Sequence, residues 1–140
     1  MKKQIIAFFL LFVLLVPFIF TVSAAEPRLN NTFSTSTSFV ISNTGKATIA
    51  AAYDGYRGVT TDVTVTSYIE KRTLGIFWTK VDINQPNNEW IDTASYYVGA
   101  FSHEFQLEDT GTYRATVVYE ISGTGGATDV IEYEQERTYS

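Results

Sequence analysis

Apolar and polar positions alternate with a period of two over most of the chain. The clearest stretch is Tyr113–Ile121. Tyr113, Ala115, Val117, Tyr119 and Ile121 form one set there, and Arg114, Thr116, Val118 and Glu120 form the other. That period marks a half-buried antiparallel strand with one wet face. Thr61–Arg72 repeats it, with Val63, Val65, Ser67 and Ile69 predicted to face inward. Lys46–Tyr53 does so again, with Ala47, Ile49, Ala51 and Tyr53 on one face. Further strands are predicted at Ser38–Ser42, Ile76–Val81 and Thr128–Thr138, and over Ala94–Gln106 as one long strand or two short ones with Gly99 as a bulge. Turn-forming residues separate them: Asn43-Thr44-Gly45, Asp54-Gly55-Tyr56-Arg57-Gly58, Thr73-Leu74-Gly75 and Ser122-Gly123-Thr124-Gly125-Gly126. Asp82–Asp92, with Pro86 and three asparagines, reads as the longest loop. Helical periodicity is absent after residue 25, so the sequence predicts an all-β sandwich of about seven strands.

The beginning of the chain follows another pattern. Met1-Lys2-Lys3-Gln4 is cationic, Ile5–Val22 is apolar, and Ser23-Ala24-Ala25 supplies small residues before Glu26. This is the layout of a secretory signal peptide, predicted over residues 1–25, and it implies a protein that is secreted or held at the cell wall. Residues 26–37 are polar and read as a flexible N-terminal lead, leaving 38–140 as a single sandwich domain. The signal carries off two of the ten basic residues. Eight then stand against fifteen acids, a net charge of −7. Such a balance argues against nucleic acid as a partner, and against a membrane once the signal is cleaved. The chain has no cysteine, so a small exported domain must hold by packing alone. Nine tyrosines, two tryptophans and the five phenylalanines beyond the signal supply bulk for it.

The entry Asp109-x-Gly111-x-Tyr113 resembles the start of strand F in immunoglobulin-like sandwiches. The resemblance implies a structural corner in which the Tyr113 hydroxyl returns to backbone upstream. It also implies that Asp109 pairs with a basic residue across the sheet, for which Arg57, Arg72 and Lys80 are the expected partners. Gly45-Lys46-Ala47-Thr48-Ile49, Val63-x-Val65 with Glu70-Lys71-Arg72, the hairpin carrying Trp78, and Gly111-Thr112-Tyr113-Arg114 are similar to a set of small exported Ig-like proteins of Gram-positive bacteria with no assigned activity. Antibody-type domains place a cysteine two residues after the corner tyrosine; here the residue is Ala115. The resemblance is therefore to the sandwich and not to its disulfide-bonded branch.

Candidate chemistry adds little to this. His103 is the single histidine, and its neighbours Ser102 and Glu104 point to the opposite face of a strand, so it reads as a surface or strand-edge residue. Asp82, Asn84, Asn87, Glu89 and Asp92 offer oxygens in one loop, but Pro86 breaks the calcium-loop spacing. Glu132, Glu134 and Glu136 share a face of the last strand and read as protection of a sheet edge. Gly123-x-Gly125-Gly126 lacks the lysine and helix of a phosphate loop. No catalytic residue, metal ligand set or cofactor motif is predicted. Recognition remains, and tryptophan is the strongest single anchor for it. Trp78 and Trp90 are the candidate binding residues, with at least one expected to be exposed. The sequence points to an exported, non-catalytic domain that binds an extracellular protein or glycan. The alternative is a self-associating structural or bacteriocin-like secreted protein.

Overall fold

The computed structural model describes residues 28–140; the segment predicted as a signal peptide and the first two residues of the predicted lead lie outside them. Eight strands follow one another: β1 (Thr32–Ile41), β2 (Lys46–Gly55), β3 (Thr60–Thr73), β4 (Phe77–Lys80), β5 (Trp90–Ala94), β6 (Val98–Gln106), β7 (Gly111–Gly123) and β8 (Asp129–Tyr139). One sheet runs β1-β2-β6. The other runs β3-β7-β8, and both β4 and β5 pair with the remaining edge of β3. Every neighbour is antiparallel. The order of the long strands is the A-B-E and C-F-G arrangement of immunoglobulin-like sandwiches. Among the described residues, no helix is long and apolar enough to cross a membrane.

The period-two sets pack as their alternation requires. Phe39 from β1, Ala47, Ile49, Ala51 and Tyr53 from β2, Val63, Val65 and Ile69 from β3, and Tyr113 through Ile121 at alternate positions of β7 form one core. Small Ala47 and Ala51 lie in it beside large Phe39 and Tyr119, so the two layers interdigitate. In β7 the outward Thr116 is also fully covered.

Three sequence expectations are corrected. The described part of the predicted 26–37 lead, residues 28–37, is not free: β1 starts at Thr32, and Ser34, Ser36 and Ser38 alternate with Thr35, Thr37 and Phe39 across it. Small hydroxyl residues disguise a strand because the period survives while the hydropathy contrast does not. Gly99 is no bulge, since it sits in continuous register opposite Tyr53. A Cβ there would meet the Tyr53 hydroxyl at 2.7 Å, so the glycine makes room for that ring. Bulges occur instead at Phe33 and Thr61. Trp90 does not end a loop; it opens β5, and the predicted 94–106 strand belongs to β5 only at Ala94, its body being β6 in the other sheet.

The corner at the start of β7 has the expected geometry. The Tyr113 hydroxyl donates to the Asp109 carbonyl at 2.6 Å, and Gly111 takes a φ of +150°, where a side chain is disfavoured. The Asp109 carboxylate pairs with Lys71 at 3.0 Å, not with Arg57, Arg72 or Lys80. Lys71 lies opposite Tyr113 in the β3–β7 register, which brings it to the corner. Tyr113→Phe should cost about 1 kcal/mol, the net worth of one hydrogen bond, and Tyr113→Ala several times more because it also empties a buried ring site. Urea denaturation midpoints of both variants check this; midpoints unchanged from wild type in both would deny the corner any role.

Along one side the sandwich is closed by side chains. Gln135 of β8 accepts from Phe39 N at 2.9 Å and donates to Thr37 O at 3.2 Å, so its amide occupies the place of a missing strand beside β1. The Tyr119 hydroxyl donates to Ser36 O at 2.7 Å, and the hydroxyls of Thr35 and Tyr133 meet at 2.9 Å. Edge amides satisfied in this way are not offered to another chain.

Candidate recognition surface

One end of the sandwich gathers the start of β1, the β2–β3 turn, the β5–β6 turn and the β7–β8 turn. Asn31 and Asp129 fix the start of β1 to the β2–β3 and β7–β8 turns. The Asp129 carboxylate accepts from Asn30 N at 2.9 Å, from Asn31 N at 2.7 Å and from Thr32 Oγ1 at 2.9 Å. Burial alone would push this carboxyl up, but the donors from Asn30, Asn31 and Thr32 outweigh it and hold it below its ordinary value. Asn31 is fully buried. Its amide donates to Ala127 O at 2.9 Å and Ile121 O at 3.3 Å, and accepts from Gly125 N at 3.1 Å. A Cβ at Gly123 or Gly125 would lie 2.1 Å from the carbonyl oxygens of Val59 and Asn30 respectively. The glycine-rich turn is thus what lets the chain close onto Asn30 and Asn31.

This frame carries a cluster of aromatic side chains. The β1 bulge falls between Thr32 and Ser34, and it turns Phe33, 66 % exposed, away from the core. Its ring meets Tyr56 edge-on at 6.1 Å. Next to Tyr56, Arg57 donates to the Tyr97 hydroxyl through Nε at 3.2 Å and Nη2 at 2.9 Å. Tyr97 lies against Tyr96 with ring centroids 4.7 Å apart, and Tyr96 is 59 % exposed. Arg57 holds the Tyr97 phenol below its ordinary value, and the contact with Tyr97 raises that of Tyr96. The backbone beneath is fixed: Gly55 N donates to Tyr97 O at 2.6 Å, and the Tyr53 hydroxyl donates to Tyr96 O at 3.0 Å. Rings with polar edges, displayed on turns held by buried hydrogen bonds, are suited to recognition because little conformational freedom is lost on contact.

The two tryptophans are elsewhere, and neither is substantially exposed as had been expected; both are half-buried. Trp78 lies on the outer face of the second sheet, with the guanidinium of Arg72 4.8 Å from its ring centre and that of Arg114 at 4.5 Å. Arg114 pairs in turn with Glu70 at 2.6 Å and Glu134 at 3.2 Å, and Arg72 with Glu136 at 2.9 Å. Glu134 and Glu136 therefore serve a cross-strand charge ladder as well as an edge. Trp90 lies between the sheets and stacks on His103, with centroids 5.0 Å apart and planes 5° from parallel. Both rings are covered because each has a cation or an imidazole laid on its face, a contact that alternation within one strand does not reveal.

His103 Nε2 lies 2.6 Å from Asp92 Oδ2, which ties β6 of one sheet to β5 of the other. Among the described residues no hydroxyl is hydrogen-bonded to this ring. In the loop read for calcium-like spacing, Glu89 turns to Lys80, Asp92 to His103, and Asp82 accepts from Asn84 N at 2.9 Å. A cleft of about 590 Å³ at the other end is lined by Lys71, Lys80, Asp82, Phe105, Asp109 and Tyr113, and its lysines are already paired with Asp109 and Glu89. Sequence reading missed Phe33, Tyr56 and Tyr96. The available signals were an aromatic inside a Gly-x-x-Gly turn and the Tyr96-Tyr97 dipeptide between two strands. No protein family, curated protein or solved structure matches the chain.

Proposed function

We propose that this chain is an exported, non-catalytic recognition domain that grips a protein or glycan outside the cell through its aromatic end. The observation that carries the reading is Phe33, which a β-bulge turns into solvent beside Tyr56 on a frame fixed by Asn31 and Asp129. An apolar ring held outward in this way gives the free domain little stability, whereas it suits a contact. Flat rings bordered by tyrosine hydroxyls and Arg57 suit the face of a sugar ring or an apolar side chain flanked by polar groups. The secretory signal read over residues 1–25 supports a setting outside the cell.

Co-sedimentation with purified bacterial cell walls and with insoluble polysaccharides, beside capture of extracellular proteins, tests the reading. Phe33→Ala and Tyr96→Ala should each weaken retention about tenfold with the thermal midpoint nearly unchanged. Retention unaffected by both substitutions would place recognition elsewhere.

Self-association is the second reading, favoured by a separate observation. The outer face of β1-β2-β6 carries Ser36, Ser38, Ala50, Ala52, Ala100 and Ser102 around a shallow trough, and side chains this short let another sheet approach closely. Sedimentation velocity across a range of concentrations separates this reading from the first.

A further inference from the structure

The opposite end of β3 carries a second exposed apolar feature of different shape. The β3–β4 hairpin closes through Leu74, Gly75 and Ile76, and Leu74 is 89 %, Ile76 74 % and Phe77 57 % exposed. Nothing lies within 4 Å of a Cβ placed on Gly75, so the tip stands clear of the body. Leu74 has a φ of +51°, a left-handed conformation that suits glycine or asparagine. In the free domain a leucine there is both strained and wetted.

Basic residues are concentrated in this stretch of the sequence. Residues 71–81 contain Lys71, Arg72 and Lys80 and no carboxylate, while the other described residues hold five basic side chains against fourteen acidic ones. The acidic balance of the whole chain, which argues against an anionic membrane, does not describe the hairpin. The three cations lean back on Asp109, Glu136 and Glu89, the first two of them well exposed, and exposed pairs of this kind exchange readily for other anions. Trp78 sits three residues behind the apex, about 10 Å at the rise of a strand, which is the level of the headgroups when an apolar tip is sunk to the acyl boundary.

We propose that the Leu74–Phe77 tip inserts into the surface of an anionic phospholipid bilayer, with Lys71, Arg72 and Lys80 meeting the headgroups and Trp78 at the interface. A second copy of the chain fits less well as the occupant. A convex finger needs an apolar socket, and the cleft of about 590 Å³ sets Lys71, Lys80, Asp82 and Asp109 around its Phe105 and Tyr113. A bilayer needs no socket. Glu132, Glu134 and Glu136 repel the same surface, so the domain stands on its hairpin, with the aromatic end about 40 Å away along the fourteen residues of β3.

The test uses the full chain and reads Trp78 alone, in a Trp90→Phe background, with hairpin variants as the control for insertion of the apolar run at residues 5–22. Vesicles of phosphatidylcholine mixed with phosphatidylglycerol should shift Trp78 emission to the blue, and brominated acyl chains should quench it. Vesicles of phosphatidylcholine alone should need about tenfold more lipid, and added salt should narrow the difference. Leu74→Asp with Ile76→Asp should abolish the quenching while the thermal transition persists. Leu74→Asn, which suits the left-handed backbone, should keep or improve the fold and still weaken the response severalfold. Absence of any Trp78 response to vesicles would overturn the proposal, as would a response unchanged in these variants. Lipid-independent self-association that Leu74→Asp removes would overturn it too, by assigning the tip to a second copy.

Discussion

Tyr119→Ala should destabilise the domain by about 4 kcal/mol, within the range for removing a large buried ring. Tyr119 is wholly shielded at the middle of β7, its ring meets Tyr133 edge-on at 6.0 Å, and its hydroxyl reaches across the core to β1. There it donates to Ser36 O at 2.7 Å and accepts from Thr37 Oγ1 at 2.8 Å. Tyr119→Phe isolates the polar part and should cost about 1–2 kcal/mol, because Ser36 O loses its donor while the ring continues to fill the core. Domains of this size are stable by about 5–15 kcal/mol in total, so the alanine variant approaches the margin and the phenylalanine variant does not. Urea unfolding followed by tyrosine and tryptophan emission separates the two. Equal losses would mean that the hydroxyl, and not the ring, carries the contact.

Asp129→Ala should cost about 3–4 kcal/mol, since it leaves Asn30 N, Asn31 N and Thr32 Oγ1 without an acceptor in a buried place and removes hydrogen bonds to a charge. Asp129→Asn retains the shape but turns one donor toward other donors, and about 2 kcal/mol is expected. The loss should be local first, seen as faster amide exchange across β1 and the β7–β8 turn. The pH dependence has a definite sign. The carboxyl is held below its ordinary value of 3.8 in the folded protein, so its contribution is complete above that value. It fades as pH falls through the lower folded value. Wild type should therefore lose stability on acidification below about pH 4 more steeply than Asp129→Asn. Parallel acid profiles for the two proteins would show that the clasp does not depend on the charge.

The core was legible because each inward set of β2, β3 and β7 keeps an unbroken period of two. Ala47 through Tyr53, Val63 through Ile69 and Tyr113 through Ile121 could be read without any partner strand. The corner was legible for the same reason, its glycine and tyrosine being fixed at short range. What failed was long-range. β1 looks like polar linker because its burial depends on Asp129, Gln135 and Tyr119, which lie more than eighty residues away in sequence. Phe33 shares the parity of Thr35, Thr37 and Phe39 and would be placed with them; a single extra residue sends it outward. The tryptophans were judged by residue type, and their exposure was decided by Arg72, Arg114 and His103 on other strands.

The contacts that close β1 also set an order in time. Asn30, Asn31 and Thr32 bond to Asp129 across ninety-seven to ninety-nine residues, and Phe39 bonds to Gln135 across ninety-six. A chain that emerges amino end first can pair β1 with β2 early, but the outer edge of β1 must wait for β8 to arrive. Pairings of such sequence separation are slow to form, because the loop between them has to be closed before the contact stabilises anything. The domain therefore finishes folding only once β8 has been made. Until then its first strand stays open to other edges, and the interval between delivery and closure is when it is most exposed to aggregation and to proteases.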